Sequence, residues 1–318
     1  MEALAFRDEN QVIFAKKLEI RALPPFRFDL SCEIFANGDK QIRKYEKGRF
    51  WQVIRVNGKL VLVIVESVGI VEKPKLNVEL KSNHTITAED KENARAAVTS
   101  LFSLDLDLKP FYEKVKDDKI MAHLTRELRG LKNPATPTVF EALVDSVVEQ
   151  QISLKVAHSL EHTLIKKFGD TLNLEGEVYY AYPTPKLLAS VSPEEFRQGG
   201  LSFRKGEYIK EASKLITEGK LDLEKLKNYE SSEQIIRELD KVRGVGVWTA
   251  ELTMLRGMRR LEALPADDLG LRRVISRYYR DGKVISSAQA RRIGKNWGDW
   301  KGLAAYYLVV ADAKDLKI

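Results

Sequence analysis

The chain has 318 residues, 44% of them hydrophobic, with 53 Lys and Arg against 46 Asp and Glu and a single cysteine. That is enough apolar material for two domains with cores of their own, and the lone Cys32 excludes a disulfide framework, a four-cysteine iron–sulfur cluster and a cysteine-based zinc site. No run approaches the length of a membrane span, and the opening "MEALAFRDENQ" is acidic from its second residue, so a soluble, intracellular protein of the cytoplasm is expected.

The first third reads as strand-rich. Residues 26–39, "FRFDLSCEIFANGD", have the look of a strand ending at a turn. Residues 50–66, "FWQVIRVNGKLVLVIVE", place two β-type runs around Asn57-Gly58, a type I′ hairpin signal. "KLNVELKS" (75–82) predicts one more strand. "TAEDKENARAAVTSLFSL" then opens a helix with a capping pattern, Thr87 followed three residues later by Asp90. Strands plus a helix predict an α+β domain over 1–105.

From 106 to 318 the pattern predicts an all-α domain. "KPFYEKVKDDKIMAHLTRELRG" has Pro110 near its start and Gly130 at its end, and "NPATPTV" (133–139) reads as a Pro/Thr linker. Residues 140–169 carry apolar side chains at helical spacing and stop at Gly169. Residues 182–219 hold three shorter helices punctuated by Pro and Gly.

Residues 242–250, "VRGVGVWTA", set Gly244 and Gly246 between two helical patterns, with Trp248 two residues on. Glycine permits positive φ and close approach of the backbone to a phosphate. Amides at the start of the second helix would face an anion, with no base edge read. From 242 to 301 there are 13 Lys/Arg against 6 Asp/Glu, a net +7 that equals the charge of the whole chain. A basic excess beside such a hairpin points to a polyanion; a solvated helical surface is the plainer alternative. Twenty residues after Trp248, "LPADDLGLRR" places Asp267 and Asp268 at a helix start, where one acid can cap and the other can work.

Taken together, "LDKVRGVGVWTAELTMLRGMRRLEALPADDLGLRR" (239–273) resembles the helix–hairpin–helix DNA glycosylase superfamily, and within it the 3-methyladenine DNA glycosylase II (AlkA-type) branch. The likeness covers about 135–312. It extends more loosely to the N-terminal domain, which looks like the TATA-binding-protein-like domain of that branch. The resemblance implies an all-α glycosylase domain of two helical lobes with the active-site cleft between them.

It also implies roles. Asp268 would be the catalytic carboxylate, with Asp267 as second choice. Trp248 stands where strand-nicking relatives keep a nucleophilic lysine, which implies a monofunctional enzyme whose tryptophan walls the pocket of a flipped-out base. Tyr306 and Tyr307, in "WGDWKGLAAYYLVVAD", would reach the same pocket, while Trp297 and Trp300 pack helices. Val309 stands where the branch has a pocket tryptophan, so the pocket differs. In "VVEQQIS" (147–153) Gln151 or Gln150 would be the wedge that fills the gap left by the base; leucine is the AlkA-type residue there. Gly244, Val245, Gly246 and Thr249 would grip the DNA backbone. The carbonyls of Asp240, Val242 and Val245 would hold a Na+ or K+ ion. Ser202, Arg204 and Lys205 would contact the backbone or support the core.

The implied partner is double-stranded DNA with damaged bases, bound by a nucleoid-associated monomer that needs no cofactor for its chemistry and no membrane. The implied reaction is hydrolysis of the N-glycosidic bond of alkylated bases such as 3-methyladenine and 7-methylguanine. A bifunctional or oxidised-purine enzyme would need a lysine from elsewhere, Lys155 or Lys205. A non-catalytic DNA-binding module would need no acid at 268.

Overall fold

The computed structural model describes residues 5–8, 11–36 and 38–317. In chain order it has β1 (Ala5–Asp8), β2 (Gln11–Arg21), α1 (Phe28–Glu33), β3 (Arg43–Glu46), β4 (Arg49–Val56), β5 (Lys59–Ser67), β6 (Lys75–Ser82) and α2 (Ala88–Leu101). Then come α3 (Lys109–Val115), α4 (Lys119–Glu127), α5 (Val139–Glu149), α6 (Leu154–Phe168), and a small hairpin of β7 (Thr171–Leu174) and β8 (Glu177–Tyr180). Helices α7 (Pro185–Ser190), α8 (Pro193–Gln198), α9 (Phe203–Thr217), α10 (Leu223–Leu226), α11 (Ser232–Asp240) and α12 (Val247–Gly257) follow. The chain ends with α13 (Leu269–Tyr279), α14 (Ser287–Gly294), a 3-10 turn over Lys295–Trp300, and α15 (Lys301–Ala313). The architecture is α+β, as the sequence predicts.

The six N-terminal strands form one antiparallel sheet in the order β1-β2-β6-β5-β4-β3. The β4–β5 turn has Asn57 at φ 49° and Gly58 at φ 77°, the left-handed pair a type I′ turn requires. That turn sets the register Ile54↔Val61 and Val53↔Leu62. Side chains alternate across a strand, so the two pairs serve opposite faces. Ile54 and Val61 join the core under α1 and α2, while Val53 and Leu62 pack against Leu172 and Leu174 of β7. Thr87 and Asp90 form the expected capping box on α2. Asp90 also accepts from Lys59 Nζ at 2.6 Å and Asn57 Nδ2 at 2.9 Å, tying that helix to the hairpin. Lys59 and the Thr87 amide hold its carboxyl well below the usual range.

Several expectations need correction. Residues 26–39 do not form a strand; 28–33 are α1. Phe26, Phe28, Leu30 and Cys32 alternate by two and so imitate one, but all four are buried. The Phe28 ring packs edge-on against Phe102 at 5.2 Å and Tyr45 at 5.9 Å. The segment 133–139 is no exposed linker either. Asn133 and Ala135 are buried, Ala135 N–H donates to the Leu101 carbonyl, and Thr138 caps α5. The buried Lys132 beside it donates to the carbonyls of Leu23 (2.9 Å) and Leu104 (3.1 Å), and burial pulls its ammonium down to about 8. Strands β1, β2, β3, β7 and β8 go unread in the sequence, and the β7–β8 hairpin interrupts the stretch 106–318 expected to be all-α.

The helices build two cores. One joins α5 through α12. The other joins α3 and α4 to α13, α14 and α15, so it draws on both sides of the first in sequence. Leu261, between α12 and α13, packs against both. The α12–α13 connection therefore sits at the junction of the two lobes, and that connection ends at Asp268.

Candidate active site

Helices α11 and α12 meet in the turn 241–246. Val242 N–H donates to the Leu239 carbonyl at 2.9 Å and Val245 N–H to the Val242 carbonyl at 3.0 Å, which closes the turn. Gly244 has φ 85°, and a Cβ there would lie 2.1 Å from the Tyr208 ring. Glycine is thus required twice over, by conformation and by the aromatic floor beneath it. Gly246 differs. Its backbone is extended, a Cβ would meet nothing within 4 Å, and it starts α12 with no side-chain cap. The N–H groups of Val247, Trp248 and Thr249 then lack an intrahelical acceptor and carry the positive end of the helix dipole.

Trp248 and Asp268 meet. Trp248 Nε1–H donates to Asp268 Oδ2 at 3.2 Å. Asp268 Oδ1 accepts from Leu271 N–H at 2.7 Å, so the same carboxylate caps α13. The sequence suggested one acid for the cap and one for the site; Asp268 both caps α13 and meets Trp248. Asp267 instead pairs with Arg291 at 3.1 Å. Both Trp248 and Asp268 are half-buried, so neither is a closed core residue.

The two glutamines part company. Gln150 ends α5, and its Nε2 donates to the Gly244 carbonyl at 2.8 Å and to Thr249 Oγ1 at 3.0 Å. It braces the hairpin and has no free amide to insert elsewhere. Gln151 is exposed with φ 59°, in the break between α5 and α6. That break divides what the sequence pattern ran together as one helical stretch.

The other candidates fare differently. Tyr307 is fully buried, its hydroxyl donating to the Leu131 carbonyl at 2.9 Å, so it lines no cleft. The Tyr306 hydroxyl is buried without a partner among the described residues. Burial raises its pKa. Thr249 is 2% exposed and its hydroxyl accepts from Gln150, so the side chain braces the hairpin and does not face solvent. Lys205 Nζ donates to the Val148 carbonyl at 2.8 Å, Ser202 caps α9, and Arg204 and Lys155 are exposed. Trp297 is buried against Tyr279 and Trp300 packs on Phe111, both as helix-packing residues. The basic excess of 242–301 is also less free than it reads. Arg243, Arg256, Arg259, Arg260, Arg273, Arg277 and Arg291 all pair with carboxylates. Among the described residues, no cluster of His, Cys, Asp and Glu is arranged to hold a metal, and no helix is long and apolar enough to cross a membrane.

Residues the sequence did not flag complete the site. Tyr208 has no motif to betray it, and Arg291 and Glu251 sit forty residues apart on α14 and α12. Only folding brings them to Asp267.

Comparison with known proteins places this geometry. Residues 144–299 match the model of the HhH-GPD superfamily of base excision DNA repair proteins. A DNA-3-methyladenine glycosylase of Bacillus subtilis is 30% identical over 244 residues, 76% of this chain and 80% of that protein. A 3-methyladenine DNA-glycosylase from Archaeoglobus fulgidus superposes with a TM-score of 0.83 at 25% identity, over 95% of this chain and all of the other. An 8-oxoguanine glycosylase/lyase of Clostridium acetobutylicum, solved with double-stranded DNA, shares the fold at a TM-score of 0.73 and 20% identity, over 98% of this chain and 99% of that one. The chain belongs to the HhH-GPD superfamily of base excision DNA repair proteins, as an enzyme of its DNA glycosylase class.

Proposed function

We propose that the protein is a monofunctional glycosylase that flips an alkylated base out of duplex DNA and hydrolyses its N-glycosidic bond. The observation that carries this reading is the 3.2 Å contact between Trp248 and Asp268, which sets an aromatic face and a carboxylate at one point beside the hairpin. In the mechanism, the C1′–N bond breaks and its electron pair leaves with the base, cancelling the positive charge that alkylation placed on the ring. The sugar is left cationic, and Asp268 stabilises that charge. Water then bonds to C1′ and gives its proton to the carboxylate. An aromatic wall favours a cationic base over a neutral one by about 0.5–2 kcal/mol. That small margin suffices because the lesion itself is the activated leaving group.

DNA is held by the open first-turn amides of α12, approached across the bare face of Gly246. Gln151 is the wedge, since it is exposed at the end of α5 while Gln150 is committed to the hairpin. A Na+ or K+ ion would be held by the carbonyls of Asp240, Val242 and Val245. The Val242 carbonyl already accepts one N–H, from Val245, and keeps a second lone pair.

The test is a set of duplexes that each hold one lesion. Duplexes with 3-methyladenine or 7-methylguanine should release the free base, read by chromatography. A duplex with 8-oxoguanine should release none. Release of 8-oxoguanine ahead of the alkylpurines would overturn the substrate assignment.

A further inference from the structure

Arg291 lies on α14, outside the hairpin and the α13 start that carry the proposed chemistry. Both Nη atoms of its guanidinium are engaged with protein. Nη1 donates to Glu251 Oε1 at 2.7 Å and to the Leu264 carbonyl at 3.1 Å; Nη2 donates to Glu251 Oε2 at 3.0 Å and to Asp267 Oδ2 at 3.1 Å. Glu251 is three residues along α12 from Trp248, one helical turn away. Leu264 and Asp267 belong to the loop that ends at Asp268. One planar side chain therefore bolts the helix of the tryptophan to the loop of the aspartate.

The surroundings leave that loop little freedom. The Leu264 carbonyl also accepts from Ala266 N–H at 2.7 Å, and Asp268 N–H donates to the Pro265 carbonyl at 3.0 Å. A Cβ at Gly294 would lie 2.6 Å from Leu264 Cδ2, so α14 presses directly on the loop. Glu251 is buried, and burial raises its pKa; the Arg291 fork is its counter-charge. A lysine ammonium could not replace that fork, because a point charge does not reach two carboxylates and a carbonyl along fixed directions.

We propose that Arg291 is a positioning residue for the reaction, holding α12 and the 264–268 loop in the register that keeps the Asp268 carboxylate against Trp248. The proposal rests on the assignment of Asp268 to the chemistry. It predicts that losing the fork moves the carboxylate without loosening the grip on DNA, because neither the bonds that close the hairpin nor the Tyr208 ring beneath Gly244 depends on Arg291.

Three variants test it: Arg291→Lys, Arg291→Gln, and the double Glu251→Gln/Arg291→Gln. The double leaves no lone buried charge and carries the test if Arg291→Gln fails to fold, with a thermal melt as the check. Affinity for undamaged duplex at fixed salt should stay within about threefold, while single-turnover base release at saturating enzyme falls roughly 10- to 100-fold in all three. Lysine should not rescue. Unchanged rates would overturn the proposal. So would a loss confined to affinity and repaired by lysine, which would make Arg291 a phosphate contact. Asp268→Asn is measured alongside. If it also keeps its rate, the assignment of Asp268 fails. If it is slow while the Arg291 variants are fast, only the positioning role fails.

Discussion

Asp268→Asn should lower base release roughly 10²- to 10³-fold, the usual loss when a preorganised group facing transition-state charge is removed. The substitution is well isolated. Asparagine caps a helix as well as aspartate does, so its Oδ1 still accepts from Leu271 N–H, now 2.7 Å away. Its amide nitrogen then faces Trp248 Nε1–H, donor against donor, where Oδ2 now accepts at 3.2 Å. That costs about 1 kcal/mol of folding stability, too little to unfold the chain. Single-turnover kinetics, a melt and a duplex-binding titration separate the three quantities. Only the rate should move far. A rate within about threefold of wild type would remove Asp268 from the chemistry.

The two hairpin glycines should respond differently to the same methyl group. Gly244→Ala forces a Cβ to within 2.1 Å of the Tyr208 ring at a backbone φ of 85°. The left-handed conformation alone costs about 1–2 kcal/mol, and the ring must also move. Both stability and duplex affinity should fall, affinity by about tenfold or more, because the Gln150 bond to the Gly244 carbonyl is displaced with it. Gly246→Ala meets no neighbour, so the melting temperature should hold. Its affinity should still drop, because the methyl fills the space across which a phosphate approaches the α12 amides. Equal affinity loss with equal destabilisation in both would mean that Gly246 is a packing residue. Unchanged affinity for Gly246→Ala would place the phosphate elsewhere.

The parts legible in the sequence are those governed by local rules. Asn57-Gly58 announces its turn, Thr87 and Asp90 their capping box, and Gly244-Val245-Gly246 the hairpin, because neighbouring residues carry each signal. Residues 28–33 mislead for the opposite reason. Their alternation suits a strand, and only packing against Phe102 and Tyr45 turns the segment into α1. The site divides along the same line. The resemblance singles out Trp248, and Asp268 at a helix start is readable from position. The separation of Gln150 from Gln151 is not, because it depends on a hydrogen bond to a carbonyl ninety-four residues away. The resemblance placed Tyr307 at the pocket, and its burial against Leu131 is a tertiary fact that no local signal carries. The ion pairs that consume the basic surplus likewise join distant segments, such as Arg259 to Asp105.

The claim that binds these observations is that water, and no lysine, attacks the sugar at the Trp248–Asp268 pair. It is tested by incubating the wild-type protein with an end-labelled duplex containing one alkylated base, with and without borohydride. The account predicts free base, an abasic site in an intact strand that breaks only on treatment with alkali or heat, and no protein–DNA adduct. Strand breaks without such treatment, together with a borohydride-trapped band, would contradict it and show that a lysine such as Lys205 leaves the Val148 carbonyl to act at C1′.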